Sequence, residues 1–245
     1  MKRLLTSLAI IAITSGGAAA QDEARQDGPY FRVGAGVTAV SDWTQEVVYD
    51  PAQPNPLPGL VGGNGLSVPI FLPDGNQVVN GNGFIAGAAL GFDYADGIRT
   101  ELEYRYASSS IDGVTQTWLP EAMFRSTLPQ TEDKIGAHFV MSNFYFDFYN
   151  DSPITPFIGG GVGGALVANE RGDRDAALAY QGRAGLSFAI GGGFSADLEY
   201  IYLRTNRLVF GPKLEDLTTA APLVPNISGD RYESSSAMIS LRKPF

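Results

Sequence analysis

The feature that constrains this chain most is an alternation of apolar and polar side chains with a period of two residues, repeated in eight segments. A period of two places successive side chains on opposite faces of an extended strand, whereas a helix needs a period near 3.6. The predicted strands cover residues 30–41, 83–94, 98–106, 136–148, 154–168, 178–190, 194–205 and 234–245. The sequence therefore predicts an all-β protein.

The segment 98–106 shows the alternation most clearly, because one face is apolar and the other is ionised. The ionised face is formed by Arg99, Glu101, Glu103 and Arg105. A soluble β-sandwich places such a charged face in water. The same division into an apolar and a polar or small face recurs along the chain, which favours a barrel in lipid with the apolar face outside.

The connections between the predicted strands alternate between short and long. The short turns lie near residues 93–97, 150–153 and 191–193, and the long connections cover residues 42–82, 107–134, 167–177 and 206–231. Strands of about 12 residues are long enough to cross a bilayer at a tilt, and only a closed barrel leaves no unpaired strand edge in lipid. We therefore predict an eight-stranded antiparallel up-and-down transmembrane β-barrel with four long extracellular loops and three short periplasmic turns.

The N-terminus has the pattern of a secretory signal peptide. Lys2 and Arg3 precede an apolar run at residues 4–13, and Ala18-Ala19-Ala20 supplies small residues for cleavage. A run of ten residues is too short to span a bilayer as a helix. We expect a signal peptide at 1–20, a periplasmic segment at 21–28 and a barrel domain at 29–245, located in the outer membrane of a Gram-negative cell envelope. Loss of Lys2 and Arg3 changes the net charge from −9 to −11.

The composition excludes several kinds of functional site. The chain has no cysteine and one histidine, so a disulfide framework, a thiolate metal site and a multi-histidine metal centre are excluded. The negative net charge argues against a nucleic-acid partner. We therefore expect no metal and no cofactor. The 30 glycines fit a narrow barrel, because large inward side chains on one strand require small ones opposite.

The interior of an eight-stranded barrel is just wide enough for side chains to fill it. The alternation directs five cations and five anions into it, so we predict a lumen ion network. Its members are Arg32, Arg99, Arg105, Arg183, Arg242, Glu101, Glu103, Asp147, Asp197 and Glu199. Two interpretations remain open: a packed polar core, or a narrow path for ions and small solutes.

Several stretches resemble those of a known group of proteins. They are residues 29–36 (PYFRVGAG), 141–148 (MSNFYFDF), 155–163 (TPFIGGGVG) and the C-terminal 238–245 (MISLRKPF). They resemble the eight-stranded outer-membrane barrels of the opacity-protein/surface-antigen type, which are related to the OmpA transmembrane domain. The resemblance implies that Phe245 is a signal for the barrel-assembly machinery. It departs from the usual arginine-phenylalanine ending at Lys243-Pro244.

The long loops are the best candidates for a function, because long loops in compact proteins are commonly functional. We expect a structural or surface-interaction protein, such as a surface antigen or adhesin, whose partners are outer-membrane lipids, the barrel-assembly machinery and a surface partner bound by the loops. The alternative is a narrow porin-like channel. We expect no enzyme: the base candidate His138 falls on the lipid-facing register, and Ser142 lies roughly 13 Å along the same strand.

Overall fold

The computed structural model describes residues 27–48, 75–94, 96–116, 134–169, 174–210 and 226–245. Its strands are β1 (Gly28–Val40), β2 (Trp43–Val48), β3 (Gly75–Tyr94), β4 (Ile98–Gln116), β5 (Lys134–Asp147), β6 (Ile154–Asn169), β7 (Arg174–Gly191), β8 (Phe194–Phe210) and β9 (Asn226–Pro244). Neighbouring strands pair antiparallel, and β1 pairs with β9. The sheet therefore closes into the predicted all-β barrel. Within the described parts of the chain, no helix is long and apolar enough to cross a membrane.

Strands β1 and β2 occupy one position in the barrel, which therefore has the predicted eight strands. Both pair with β3 on one side and with β9 on the other. The interruption at Ser41 and Asp42 is bridged by hydrogen bonds: the Asn80 amide nitrogen donates to Asp42 Oδ1 over 2.9 Å, and Asn80 Nδ2 donates to the Ser41 carbonyl over 2.7 Å. On the other side, the Ser41 nitrogen donates to the Glu233 carbonyl over 2.9 Å.

Short turns join three pairs of strands at the end of the barrel that holds the termini. Gly97 in the first turn has a φ of 80°, and Gly191–Gly193 in the third have φ values of 86°, 64° and 73°. These are left-handed values that side chains with a Cβ rarely adopt. In the second turn, Asn150 Oδ1 accepts a hydrogen bond from the Ser152 nitrogen over 2.8 Å. The turns are short, as predicted, and the alternation of connection lengths assigns this end to the periplasm.

The strands extend further from the membrane than the sequence predicted. Strand β3 begins at Gly75 rather than 83, β4 continues to Gln116, and β8 and β9 reach Phe210 and Asn226. The predicted loops at 42–82, 107–134, 167–177 and 206–231 are correspondingly too long. The reason is that the apolar alternation ends at the lipid boundary, whereas the ladder of backbone hydrogen bonds continues beyond it. The predicted signal peptide, most of the segment 21–28 and the central parts of the long loops lie outside the described residues.

The two faces of the strands have the predicted orientation. On β3, for example, Phe84, Leu90 and Phe92 are exposed on the outer face, whereas Asp93 is buried inside. Glycine allows the wall to close on the interior. A Cβ on Gly36 would meet the backbone carbonyl of the paired strand β9, and one on Gly163 would meet that of β5.

Candidate functional site: the barrel interior

The interior has two halves, which can be read along β4. From the periplasmic turn outward, its inward residues are first charged and then small or apolar. In order, they are Arg99, Glu101, Glu103, Arg105, Ala107, Ser109 and Ile111. The buried charged residues of the other strands also lie in the periplasmic half, which therefore forms a polar layer. The large buried side chains of the extracellular half are apolar and form an apolar layer, among which lie the small hydroxyl residues Thr38, Ser109, Thr205, Ser234 and Ser236.

Arg32 lies at the centre of the polar layer and joins three strands of the barrel. Its Nη1 donates to Glu199 Oε1 on β8 over 2.5 Å, and its Nη2 donates to Glu101 Oε2 on β4 over 2.7 Å. The same Nη2 lies 3.3 Å from Glu103 Oε1. Because its side chain is about 3 % exposed, these ion pairs are shielded from solvent.

Arg183 and Tyr145 extend the network towards the opposite wall. Both terminal nitrogens of Arg183 donate to the Glu103 carboxylate over 3.1 Å, and its Nε lies 3.1 Å from Glu199 Oε2. The Tyr145 hydroxyl accepts hydrogen bonds from Arg183 and from Arg32, and it donates to Glu101 Oε2 over 2.9 Å. The phenol therefore links two cations to one carboxylate.

A second group of ion pairs lies below this centre, near the periplasmic mouth. Arg99 donates to both oxygens of Asp147 over 2.6 and 2.8 Å, a bidentate geometry that holds the guanidinium in place. Arg242 donates to Asp93 Oδ2 over 3.2 Å, and its Nε lies 3.7 Å from Asp197 Oδ2. Arg99 thereby links β4 to β5, and Arg242 links β9 to β3 and β8.

Tyr149 lies beside this mouth, in the turn after β5. Burial, with smaller contributions from the Asp93 and Asp147 carboxylates, raises the pKa of Tyr149 to about 12. The carboxylates and the burial at this mouth thus disfavour a phenolate, and Tyr149 stays neutral even in mildly alkaline solution.

Arg105 marks the boundary between the two layers. Its Nη2 donates to Gln181 Oε1 over 2.6 Å, and its Nη1 lies 3.5 Å from Glu103 Oε2. On its other side, the guanidinium lies 5.4 Å from the centre of the Phe139 ring, a cation–π distance. The boundary cation thus contacts the polar layer and the apolar layer at once.

The apolar layer closes the extracellular half of the lumen. It consists of Val40, Ile85, Ala107, Ile135, Ala137, Phe139, Met141, Ala165, Val167, Ala179, Leu203, Leu208 and Tyr232. Each member is at most about 6 % exposed. Phe139 and Tyr232 come from opposite walls, and their ring centres are 5.7 Å apart. Side chains from the two walls therefore meet in the middle, as expected for a lumen of this width.

The ten residues of the predicted lumen network all face the interior and are buried. Sequence reasoning omitted Asp93, Tyr30 and Tyr145 from that network, although the same alternation places them on the inner face. It also overlooked the apolar layer, which the alternation indicates once the strands are extended outward. Among the described residues, no group of three or more histidine, aspartate or glutamate side chains is arranged to hold a metal ion.

His138 lies on the outer face, where the sequence placed it. Its Nδ1 is 2.7 Å from the Tyr104 hydroxyl, and its ring centre is 4.9 Å from that of Tyr106. Ser142 is on the same exposed face of β5, two outward positions closer to the periplasm. The histidine therefore belongs to an aromatic group at the level where the outer surface becomes polar.

Comparison with known proteins agrees with this architecture. The model of a family described as surface antigen matches residues 74–202, more than half of the chain. The chain belongs to the surface antigen family. It is an outer-membrane β-barrel of that family, as the resemblance predicted.

Two solved structures share the fold of this surface antigen family member at low sequence identity. The neisserial surface protein A has a TM-score of 0.51 and 14% identity, covering 89% of this chain and 97% of its own. The outer membrane protein OprG from Pseudomonas aeruginosa has a TM-score of 0.51 and 11% identity, with the same coverage. A search of curated proteins finds no match.

Proposed function

We propose that this protein is a sealed outer-membrane anchor whose extracellular loops bind a partner at a cell surface. The observation that carries the proposal is the apolar layer in the outer half of the lumen. A barrel filled in this way acts as a rigid support, so we assign binding to the extracellular loops that connect its strands. The proposal includes no catalytic role, since His138 is engaged by Tyr104 and Tyr106 on the outer face.

The filled interior argues against the alternative of a channel. An ion that passed through the polar layer would meet Phe139 and Met141, which are at most about 1 % exposed, and the other buried members of the apolar layer. The cost of moving an unpaired charge into apolar surroundings is large. Conduction would therefore require the two walls to separate, against the packing of the whole layer.

Three segments are the candidates for partner binding: residues 49–74, 117–133 and 211–225. They join β2 to β3, β4 to β5 and β8 to β9 at the extracellular end. The first contains apolar side chains such as Leu57, Leu60 and Phe71 between several prolines. Apolar side chains displayed outside a membrane are typical of interaction sites.

Replacement of the loops tests the proposed binding. Residues 49–74, 117–133 and 211–225 are replaced in turn by short Gly-Ser linkers in the full barrel, which is labelled and held in nanodiscs. Binding to cultured epithelial cells and to bacterial cells lacking the protein is then measured. We expect binding to one of these surfaces that a single replacement abolishes, while the heat-dependent gel shift of the folded barrel persists. Binding that survives all three replacements, or no binding to either surface, would refute the proposal.

Conductance across planar bilayers separates this proposal from the channel. We expect no step openings from the refolded barrel. Openings that disappear on Arg99→Ala or Glu101→Ala would show that ions pass through the polar layer, and they would replace the proposed anchor with a pore.

A further inference from the structure

The strands β7 and β8 pair along most of their length but separate at the extracellular end. Their ladder runs outward from the periplasmic turn as far as the pair Ala179–Thr205. Beyond this pair both strands continue, yet in the described part of the chain no residue of 176–178 pairs with a residue of 206–208. We call these two stretches the β7–β8 split.

Each side of the split stays attached to its other neighbour in the sheet. Strand β7 pairs with β6 as far as Arg174, which lies opposite Ala168. Strand β8 pairs with β9 as far as Phe210, which lies opposite Ile227. Both stretches are therefore strands with a ladder on one side, and on the side of the split each presents the backbone N–H and C=O groups of a sheet edge.

A bulge in β8 explains the separation. The register between β8 and β9 shifts between Arg204 and Arg207 and again between Arg207 and Val209. Asn206 and Arg207 are both exposed although they are consecutive in sequence, whereas Leu208 is buried in the apolar layer. A bulge bends its strand and can end the pairing on one side, so β8 follows β9 away from β7.

The length of β8 places the split above the lipid. Ten residues separate Phe194 at the periplasmic turn from Arg204. At about 3.4 Å per residue and a tilt of about 40°, they rise about 26 Å. Since the apolar band of an outer-membrane barrel is about 25 Å tall, the residues from Asn206 onward lie beyond the hydrocarbon, within reach of a water-soluble chain.

The side chains beside the split do not fill it. Ala176 and Leu178 are exposed on the outer face, whereas Ala177 and Leu208 pack in the apolar layer. Side chains stand roughly perpendicular to the plane of a sheet, so the two backbone edges face each other across the split. The apolar layer closes the split on the inside, and a partner would reach it from the outside.

We propose that the β7–β8 split binds an extended segment of a partner protein as an additional strand. An extended chain repeats its N–H and C=O groups at the spacing of a strand edge, so it can satisfy such an edge in series. The site is continuous with residues 211–225, which follow β8 and are among the proposed binding segments. The inference rests on the proposed function for the existence of the partner, and it adds backbone pairing at the rim of the barrel as the mode of contact.

The test uses the refolded barrel in nanodiscs and a short synthetic peptide of alternating valine and threonine, residues that favour strands. Hydrogen exchange should be fast at residues 176–178 and 206–208 in the barrel alone, and the peptide should slow it. The matched control is the same peptide with every backbone nitrogen methylated, which keeps the side chains and lacks the donors. Because each backbone hydrogen bond contributes about fivefold and at least two are lost, the control should bind at least about twentyfold more weakly.

An engineered disulfide closes the split reversibly, since the chain has no cysteine. Leu178→Cys/Asn206→Cys joins the first outward positions beyond the last ladder pair, and oxidation should abolish peptide binding that reduction restores. The matched control is Phe188→Cys/Ala196→Cys, which joins a pair already in the ladder between the same two strands and should leave peptide binding unchanged. Binding to cells should follow the same pattern.

Several outcomes would overturn the proposal. Slow exchange at the split in the barrel alone would show that another segment of this chain already pairs there. Equal binding of the two peptides would show adsorption through side chains rather than strand addition. Protection that appears only as the barrel concentration rises would assign the split to a second copy of the chain. Cell binding that persists in the oxidised Leu178→Cys/Asn206→Cys variant would refute the split as the partner site and leave the proposed function intact, whereas peptide binding without any cell binding would refute the proposed function.

Discussion

Replacing Glu103 with glutamine tests whether the polar layer is a dry, packed core. Glu103 accepts hydrogen bonds from Arg183, Arg32 and Asn143, and it lies 3.5 Å from Arg105 Nη1. Glutamine has nearly the same shape, so the substitution leaves no cavity. It removes only the charge and part of the accepting capacity.

The loss in free energy of unfolding depends on which ion-pair partners each arginine keeps in the Glu103→Gln variant. Arg32 and Arg183 keep Glu199, and Arg32 also keeps Glu101. Arg105 loses the nearest carboxylate and keeps the hydrogen bond to Gln181. Removing one partner of a buried ion pair typically costs 3–5 kcal/mol. Because only one of the three cations loses its ion-pair partner, we expect the lower end, about 3 kcal/mol.

The assay is equilibrium unfolding in urea of the barrel in phosphatidylcholine vesicles, followed by fluorescence and by the heat-dependent gel shift. The matched control is Glu233→Gln, which breaks the ion pair with Arg204 on the outer surface. The side chains of that pair are 27 % and 35 % exposed, so its loss should cost at most about 1 kcal/mol.

Equal and small losses in the two variants would refute the reasoning. They would mean that water screens the lumen charges as effectively as it screens surface charges. A hydrated polar layer would also weaken the argument for a sealed barrel.

Three further predictions concern other parts of the barrel. Gly36→Ala should lower the free energy of unfolding by about 1–3 kcal/mol, because the added Cβ would meet a backbone carbonyl of β9. The control Gly164→Ala should leave the free energy of unfolding unchanged, because no atom of the described residues lies within 4 Å of the added Cβ. Equal urea midpoints for the two variants would contradict this prediction. His138→Ala should lower the free energy of unfolding by no more than about 1.5 kcal/mol, because it breaks one exposed hydrogen bond. It should also leave binding to cells unchanged, and a loss of that binding would show that His138 has more than a structural role. Phe245→Ala should reduce the fraction of chains assembled in the outer membrane, measured by the gel shift of membrane fractions, whereas Phe148→Ala, an equal aromatic loss, should not.

Much of the barrel could be predicted from the sequence, because alternation is a local property. Each strand that crosses a membrane must present one face to lipid and one to the interior, so Arg99, Glu101 and Glu103 could be assigned to the lumen from their spacing alone. The strand ends were predicted poorly for the same reason. Beyond the lipid, residues such as Ser108 and Ser110 still pair through their backbones with the neighbouring strands, but their outward side chains are polar. The apolar alternation that marks a strand in the sequence therefore ends before the strand does.

The sequence by itself determined which residues face lipid, which face inward and how the strands are connected. Only the tertiary structure decided which inward residues meet. Arg32 pairs with Glu199 across 167 positions of the chain, and these residues lie on strands that are not neighbours in the sheet. The closure of the barrel and the stagger of its strands set that juxtaposition. Barrel closure also places the apolar layer directly above the polar layer, because inward side chains at the same height on all the strands contact one another.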